Sequence, residues 1–231
     1  MTEPIRSSDG NRQPPPSRRT VLRGAAAVTL ATAATTAATT GTASAAGAGS
    51  YPAVVDHPGA QWLPADPANY RTARRPRSHP VDHVIIHVTQ EHFDDAVAVF
   101  QDPGRGTSAH YLVRSADGHI GQCVRERDIA WHAGDPSYDN RSIGITHEGW
   151  VNSSAWFTEE MYASSAALTA AVCARHAIPL DRTHILGHHE VSSATHTDPG
   201  ANWDWDHFLE LARKVRADTT AVKRRPITTG R

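Results

Sequence analysis

The feature that most constrains the fold is a series of short β-branched runs separated by stretches with helical spacing. The clearest run, residues 82–88, reads DHVIIHV, which is long enough for a strand and too short for a helix. Residues 93–100 follow with apolar side chains at helical spacing, and the Asp-Pro-Gly sequence at 102–104 ends them. Strands interleaved with helices predict an α/β fold, and we expect a single domain in which helices flank a central mixed β-sheet.

The remaining elements continue this alternation. Residues 108–114 and 120–124 predict the two strands of a hairpin, joined by the turn Ala116-Asp117-Gly118. Thr158 is a suitable N-cap for a long helix, and Pro179 lies beyond the end of that helix. The other predicted elements are strands at 142–148 and 185–187 and helices at 158–176 and from 205 to about 215.

The N-terminal residues carry the pattern of an export signal. Arg18-Arg19 follows a polar leader and precedes an uncharged stretch rich in Ala and Thr, and Ala43-Ser44-Ala45 offers a small-residue cleavage site. We predict that residues 1–45 are a twin-arginine signal peptide and that the mature protein is secreted without stable membrane association. The alternative is a retained N-terminal anchor.

The rest of the chain divides into an arm, a folded domain and a tail. Residues 46–80 are rich in Pro, Ala and Arg without a sustained period, and they predict an extended arm or linker that Trp62 and Tyr70 pin to the domain. Residues 81–215 form the predicted folded domain. Residues 216–231 are basic and polar, and we predict a flexible tail.

Charge and cysteine content restrict the partners. The formal net charge of -1 argues against a nucleic-acid partner, because phosphate contacts require a basic surface. The chain has 15 histidines, and imidazole is the commonest metal ligand in proteins. Cys123 and Cys173 would meet an oxidising exterior after export. A disulfide between them and two buried free thiols both remain open.

Histidine and aspartate gather at the ends of predicted strands. His87 closes the first strand, His188 and His189 follow the Ile-Leu-Gly run, and His196 and Asp198 come shortly after. A catalytic zinc site needs three protein ligands and a fourth position for water, and two histidines with one carboxylate meet that need. The spacing favours a metal site in a groove at the strand ends but does not select its ligands.

Five motifs in order resemble a known family. They are residues 84–89 (VIIHVT), 108–113 (SAHYLV), 130–134 (AWHAG), 142–145 (SIGI), and Gly187-His188 through residues 196–200 (HTDPG). Together they resemble the type 2 N-acetylmuramoyl-L-alanine amidases, which are related to phage lysozyme-amidases and peptidoglycan-recognition proteins. The match covers residues 81–208. The resemblance implies zinc-dependent hydrolysis of the amide between N-acetylmuramic acid and L-alanine, with peptidoglycan or a muropeptide as substrate.

The resemblance also implies roles for individual residues. The positions of the three Zn²⁺ ligands fall on His87, His188 and Asp198. His196 falls where relatives carry a lysine or histidine that stabilises the transition state, and His189 is then a bystander. The positions that contact substrate in the groove fall on His110, Trp131, His132 and Thr146, with structural packing as the alternative for these side chains.

One position departs from the family pattern. The family's strand usually reads Ile-Gly-Ile-Glu, and that glutamate assists the attacking water, whereas this chain has Thr146 there. A hydroxyl cannot act as a general base near neutral pH. Glu148 lies on the same face of the strand but roughly 6–7 Å further along. Glu148 could therefore serve as the catalytic carboxylate, the metal with His196 could suffice slowly, or the site could bind without turnover.

Two rival functions follow from these observations. The first is a peptidoglycan-binding, recognition-type protein that has lost catalysis. The second is another exported zinc peptidase, but the sequence has no His-Glu-x-x-His motif of the kind that such enzymes carry on a helix. The amidase interpretation accounts for the grouped ligands and the groove motifs together.

Overall fold

The structure is a computed structural model that describes residues 55–191 and 196–224. The twin-arginine motif and the predicted cleavage site lie outside these residues. Among the helices of the described ranges, none combines the length and the apolar character needed to cross a membrane.

Within the described ranges, eight strands form two sheets. In chain order they are β1 (Ala60–Trp62), β2 (Tyr70–Arg71), β3 (His83–Val88), β4 (Tyr111–Val113), β5 (Ile120–Gln122), β6 (Ile129–Ala130), β7 (Ser142–His147) and β8 (Ile185–Gly187). The main sheet has the order β1-β5-β4-β7-β3-β8, and β2 pairs with β6 in a small second sheet. Only β4 and β5 run antiparallel within the main sheet, as the predicted hairpin requires. The prediction of a central mixed sheet is confirmed.

Four α-helices accompany the sheet in the part of the chain that the structure describes. They are α1 (Phe93–Gln101), α2 (Pro136–Asp139), α3 (Glu159–His176) and α4 (Trp205–Arg224). The hydroxyl of Thr158 accepts a hydrogen bond from Met161 N at 3.2 Å, so the predicted N-cap of α3 is present. The helix ends at Ala177, whose φ of 58° is left-handed.

Alternation along the central strands divides the core into two faces. Val84 and Ile86 of β3 pack in a cluster with α3 and α4, which includes Leu168 and Phe208. Ile85 packs in a separate cluster on the opposite side of the sheet. Because successive side chains of a strand point to opposite faces, His87 shares the face of Ile85 and lies away from α3 and α4.

The two ends of the domain differ from the predictions. The arm at 46–80 supplies β1, which pairs in parallel with β5, and β2, so part of the predicted linker belongs to the sheets. Trp62 lies under Arg125, with the guanidinium 4.6 Å from the ring centroid. At the other end α4 continues to Arg224, so the predicted flexible tail from 216 is wrong up to that residue. The apolar pattern stops near 215, but a solvated helix needs no apolar face to continue.

The cysteines are free. Cys123 is buried in a cluster with α1, and Cys173 is buried in the cluster of α3 and α4. Burial raises the pKa of each thiol to about 12. Of the two alternatives left open by the sequence, the structure shows two buried thiols and no disulfide.

Candidate metal centre

Three neighbouring parallel strands place three polar side chains in one row. His87 of β3 is paired with Thr146 of β7. On the other side of β3, Ile86 is paired with Gly187, the last residue of β8, so His188 follows at the level of His87. The rings of His87 and His188 are 4.4 Å apart between centroids. The row lies on the face opposite α3 and α4.

Asp198 completes a group of three donor residues. Its Oδ1 is 3.0 Å from Nδ1 of His188, and its Oδ2 is 3.5 Å from Nδ1 of His87. The backbone N–H of Val88 donates to Oδ2 at 3.2 Å and ties the carboxylate to the end of β3. One donor atom from each of the three residues lies within 4.8 Å of the others, and all three residues are buried.

The chemistry of this group fits a divalent cation. Burial alone would raise the pKa of Asp198, but the hydrogen bond with Nδ1 of His188 outweighs it and holds the pKa well below its usual range, so the carboxylate is charged. Burial lowers the pKa of His87. Nε2 of His188 lies 3.3 Å from the carbonyl oxygen of Ala133, which can accept its N–H once a metal takes the Nδ1 position. Two nitrogens and one oxygen are the donors that zinc prefers.

The two other histidines of this region take different positions. His189 lies outside the group of three, and its Nδ1 is 3.0 Å from the carbonyl oxygen of Asp198, where its N–H can hold the aspartate backbone. The ring of His196 stacks on that of His188 with 4.0 Å between centroids. Its Nδ1 is 3.9 Å from Oδ1 of Asp198, and 48% of its side chain is exposed. His196 therefore flanks the candidate ligands on the solvent side.

A groove of about 890 Å³ opens over the row. Of the predicted substrate-contacting residues, Trp131, His132 and Thr146 line it. Segments that the sequence analysis did not assign to substrate binding also form its walls: residues 88–91 at the end of β3, residues 106–108, and the surroundings of α2. Of these, residues 88, 89 and 108 lie in motifs named above, and the segments become neighbours only when the strands assemble.

His110 does not contact the groove, and its predicted role in substrate binding is wrong. Its side chain is fully buried, with Nδ1 accepting the backbone N–H of Gly144 at 3.0 Å. Nε2 lies 2.7 Å from the guanidinium of the buried Arg75. Burial and this cation keep the pKa of His110 well below its usual value. His110 is part of the internal support of β7.

Glu148 is occupied elsewhere. Its Oε1 accepts the backbone N–H of Phe93 at 3.1 Å, and its Oε2 accepts that of Ser115 at 2.9 Å. Glu148 thus joins the first residue of α1 to the end of the β4 segment, and it is absent from the described lining of the groove. This position gives Glu148 a structural role in place of the catalytic one considered from the sequence.

His132 lies between the candidate metal ligands and the protein interior. Its Nδ1 is 2.9 Å from Nε2 of His87, and the two rings meet edge to face. Burial lowers the pKa of His132 well below its usual value, and the neighbouring His87 and His110 lower it further. Asp139 Oδ1 accepts the backbone N–H groups of His132 and Ala133 at 3.0 and 2.8 Å, which fixes the segment that carries the ring.

Comparisons with known proteins agree with this geometry. A profile of the family described as N-acetylmuramoyl-L-alanine amidase matches residues 77–201. N-acetylmuramoyl-L-alanine amidase A of Achromobacter lyticus is 34% identical over 176 residues, which cover 68% of this chain and 96% of that protein. The 1,6-anhydro-N-acetylmuramyl-L-alanine amidase AmpD of Citrobacter freundii is 38% identical over 110 residues, 45% of this chain and 56% of that protein. A solved selenomethionine derivative of AmpD superposes with a TM-score of 0.58 and 28% identity, over 68% of this chain and 98% of that one.

Proposed function

The chain belongs to the N-acetylmuramoyl-L-alanine amidase family, and on that premise we propose that it hydrolyses the amide between N-acetylmuramic acid and L-alanine of peptidoglycan with the help of zinc. The observation that carries the proposal is the convergence of donor atoms from His87, His188 and Asp198 within 4.8 Å of one another. The groove over them has a volume typical of sites that enclose small ligands, so a muropeptide segment of peptidoglycan is a fitting substrate.

We assign zinc because two imidazoles and one carboxylate leave a fourth coordination position open, as catalytic zinc centres do. When bound, zinc supplies Lewis-acid chemistry that polarises a carbonyl and activates water. His87 and His188 would hold the metal through Nδ1, and Asp198 through a carboxylate oxygen. The bond from Val88 N to Asp198 holds that oxygen in place.

His196 is the residue best placed to stabilise negative charge on the substrate. Its partly exposed ring stacks on His188 at the mouth of the site. Protonated His196 would donate an N–H to the oxyanion that forms when water attacks the amide carbon. The C–N bond then breaks. The oxygen of the attacking water stays on the lactyl carbonyl carbon as part of a carboxylate, and the amine of L-alanine leaves with a proton delivered by His196, which regains one from the water. Trp131 and His132 line the groove, which would orient the substrate.

Thr146 limits the rate in this proposal. It occupies the row position beside His87, where a carboxylate would be within reach of the attacking water. A hydroxyl cannot take that proton near neutral pH, and the loss of a general base typically costs about 10²–10⁴-fold in rate. We therefore propose an amidase that works at a reduced rate through its metal and His196.

We further propose that the protein acts in the cell wall after export by the twin-arginine route. This proposal rests on the sequence pattern around Arg18-Arg19 and on the nature of the substrate, which lies outside the cytoplasmic membrane.

The test is digestion of purified peptidoglycan sacculi with mass analysis of the products. The proposal expects new L-alanine amino termini, their loss on treatment with a chelator, and their return when zinc is added. The His188→Ala variant should lose both zinc and activity. A His188→Ala protein that retains a full equivalent of zinc would contradict the ligand assignment.

The role of Thr146 is tested by the Thr146→Glu variant, with Thr146→Val as the matched control that removes the hydroxyl without adding a carboxylate. We expect Thr146→Glu to raise the rate by about 10²-fold or more and Thr146→Val to leave it within a few-fold. Saturable muropeptide binding with no product from the wild type, and turnover only in Thr146→Glu, would favour the alternative of a recognition-type binding protein.

A further inference from the structure

A chain of three hydrogen-bond contacts runs from the protein interior to the candidate ligand His87. The hydroxyl of Ser142 donates to the carbonyl oxygen of Tyr138 at 2.6 Å. Ser142 Oγ is 3.2 Å from Nε2 of His132, and Nδ1 of His132 is 2.9 Å from Nε2 of His87. Ser142 and His132 are both buried, so these contacts are shielded from water.

The chemistry of the first group fixes the direction of the whole chain. A carbonyl oxygen can only accept, so the single proton of the Ser142 hydroxyl points to Tyr138. The Ser142 oxygen must then accept the N–H of Nε2 of His132. A neutral imidazole carries one N–H, so Nδ1 of His132 presents a lone pair and accepts the N–H of Nε2 of His87. The remaining nitrogen of His87, Nδ1, is left with a lone pair that faces Asp198.

The distances disfavour the opposite direction of hydrogen-bond donation along this chain. It would place the proton of His87 on Nδ1, where the nearest Asp198 oxygen is 3.5 Å away, beyond the usual range of an N–H···O bond. It would also require the Ser142 hydroxyl to turn from the 2.6 Å contact with Tyr138 to the 3.2 Å contact with His132. The 2.6 Å bond to Tyr138 would be replaced by a 3.5 Å contact with Asp198, because the contact between Ser142 and His132 is present in either direction.

Gly144 supplies an independent sign that the position of the His132 ring is built into the sheet. A Cβ added to Gly144 would lie 2.6 Å from Cγ of His132, closer than atoms of side chains approach one another. Gly144 is in the middle of β7 and has no left-handed backbone conformation that calls for glycine. The absent side chain at this position therefore makes room for the His132 ring.

From these contacts we propose that His132, held by Ser142, is a positioning residue that fixes His87 in the tautomer whose Nδ1 is ready to bind the metal. The proposal rests on the proposed function in taking His87 as a ligand. It assigns His132 a role beyond lining the groove. Partners of this kind orient metal-binding histidines, and their loss typically weakens metal affinity about 10- to 100-fold.

The first experiment measures zinc affinity of the metal-stripped full chain by competition with a chromophoric chelator. We expect Ser142→Ala to bind zinc about 10- to 100-fold more weakly than the wild type. Ser165→Ala is the matched control, because Ser165 is equally buried and contacts a histidine ring, Nε2 of His147, at 2.7 Å on the other face of the sheet. Its zinc affinity should stay within about twofold of the wild type, since His147 contacts the backbone oxygen of His87, at 2.9 Å, and leaves the His87 ring unchanged.

The second experiment reads the tautomer without metal, from the ring ¹⁵N chemical shifts of His87. The wild type should show a protonated Nε2 and an unprotonated Nδ1, and Ser142→Ala should shift the population toward protonated Nδ1. Protonated Nδ1 in the wild type, or equal zinc affinities for Ser142→Ala and Ser165→Ala, would overturn the proposal. Failure of the proposed function is distinguishable, because a wild type that binds no zinc would still report its tautomer.

Discussion

Replacement of Glu148 by glutamine separates a structural role from a catalytic one. The two carboxylate oxygens of Glu148 accept the backbone N–H groups of Phe93 and Ser115 at 3.1 and 2.9 Å. An amide has the same shape but only one oxygen, so its NH₂ group would face one of these N–H donors. Glu148→Gln therefore loses one hydrogen bond and leaves a buried donor against another donor.

The magnitude follows from the kind of bond that is lost. A hydrogen bond to a charged group contributes about 1.5–3 kcal/mol, and an unsatisfied buried donor costs a comparable amount. The carboxylate also faces the first turn of α1, where the helix dipole favours a negative charge. We expect the free energy of unfolding to fall by about 3 kcal/mol. For a domain of this size the Tm should then fall by roughly 6–12 °C.

The assay combines thermal unfolding by circular dichroism with amidase activity on sacculi at 20 °C, where the variant remains folded. Glu160→Gln is the control, since it makes the same chemical change on an exposed side chain of α3 and should move Tm by less than about 2 °C. Activity of Glu148→Gln should stay within about threefold of the wild type. An unchanged Tm together with a loss of about 10²-fold or more in activity would refute the structural role and restore Glu148 as the general base.

Three further predictions concern stability and reactivity. Burial alone would raise the pKa of Glu126, but hydrogen bonds from His176, Arg175 and Tyr111 outweigh it and hold the pKa at about 2. Because this folded-state pKa lies below the ordinary 4.5, its contribution of about 3 kcal/mol is present above pH 4.5 and is lost as the pH falls toward 2. Urea unfolding across this range should show the loss, and Glu126→Gln should flatten it. Cys123 and Cys173, with thiol pKa values of about 12, should react with a thiol reagent only after unfolding, and labelling of the native protein at pH 8 would contradict their burial. Gly118→Ala should destabilise the domain by about 2 kcal/mol or more in the same urea assay, because φ is +67° and the new Cβ would lie 2.4 Å from a backbone oxygen of α3.

The sequence predicted the elements whose signals are local. The β-branched run at β3 and the Thr158 cap of α3 are visible in the residues themselves, and the structure has both. The grouping of His87 and His188 could also be anticipated, since residues at the carboxyl ends of adjacent parallel strands meet at one edge. The choice of Asp198 as their partner came from resemblance, because nothing in its spacing selects it.

What the sequence could not supply depends on contacts between distant segments. Glu148 shares a strand face with Thr146, yet its carboxylate accepts hydrogen bonds from the backbone N–H groups of Phe93 and Ser115. No sequence pattern identifies these two N–H groups as partners of Glu148. His110 resembles a groove residue until the fold places Arg75 against its ring. The end of α4 was placed too early for a different reason. The amphipathic pattern reports burial, and a helix can extend beyond its buried part.

The hydrogen bond from Val88 N to the Asp198 carboxylate also affects the stability of the domain. It joins the end of a central strand to a turn more than one hundred residues later, so the loop between them is closed at its base even without metal. An ion held by His87, His188 and Asp198 would act at the same point as a reversible cross-link. At a free zinc concentration one hundred times the dissociation constant, such a cross-link adds about 2.7 kcal/mol to the native state. Depletion of zinc would then loosen the segment around Asp198 first, while β3 and its neighbouring strands keep their structure.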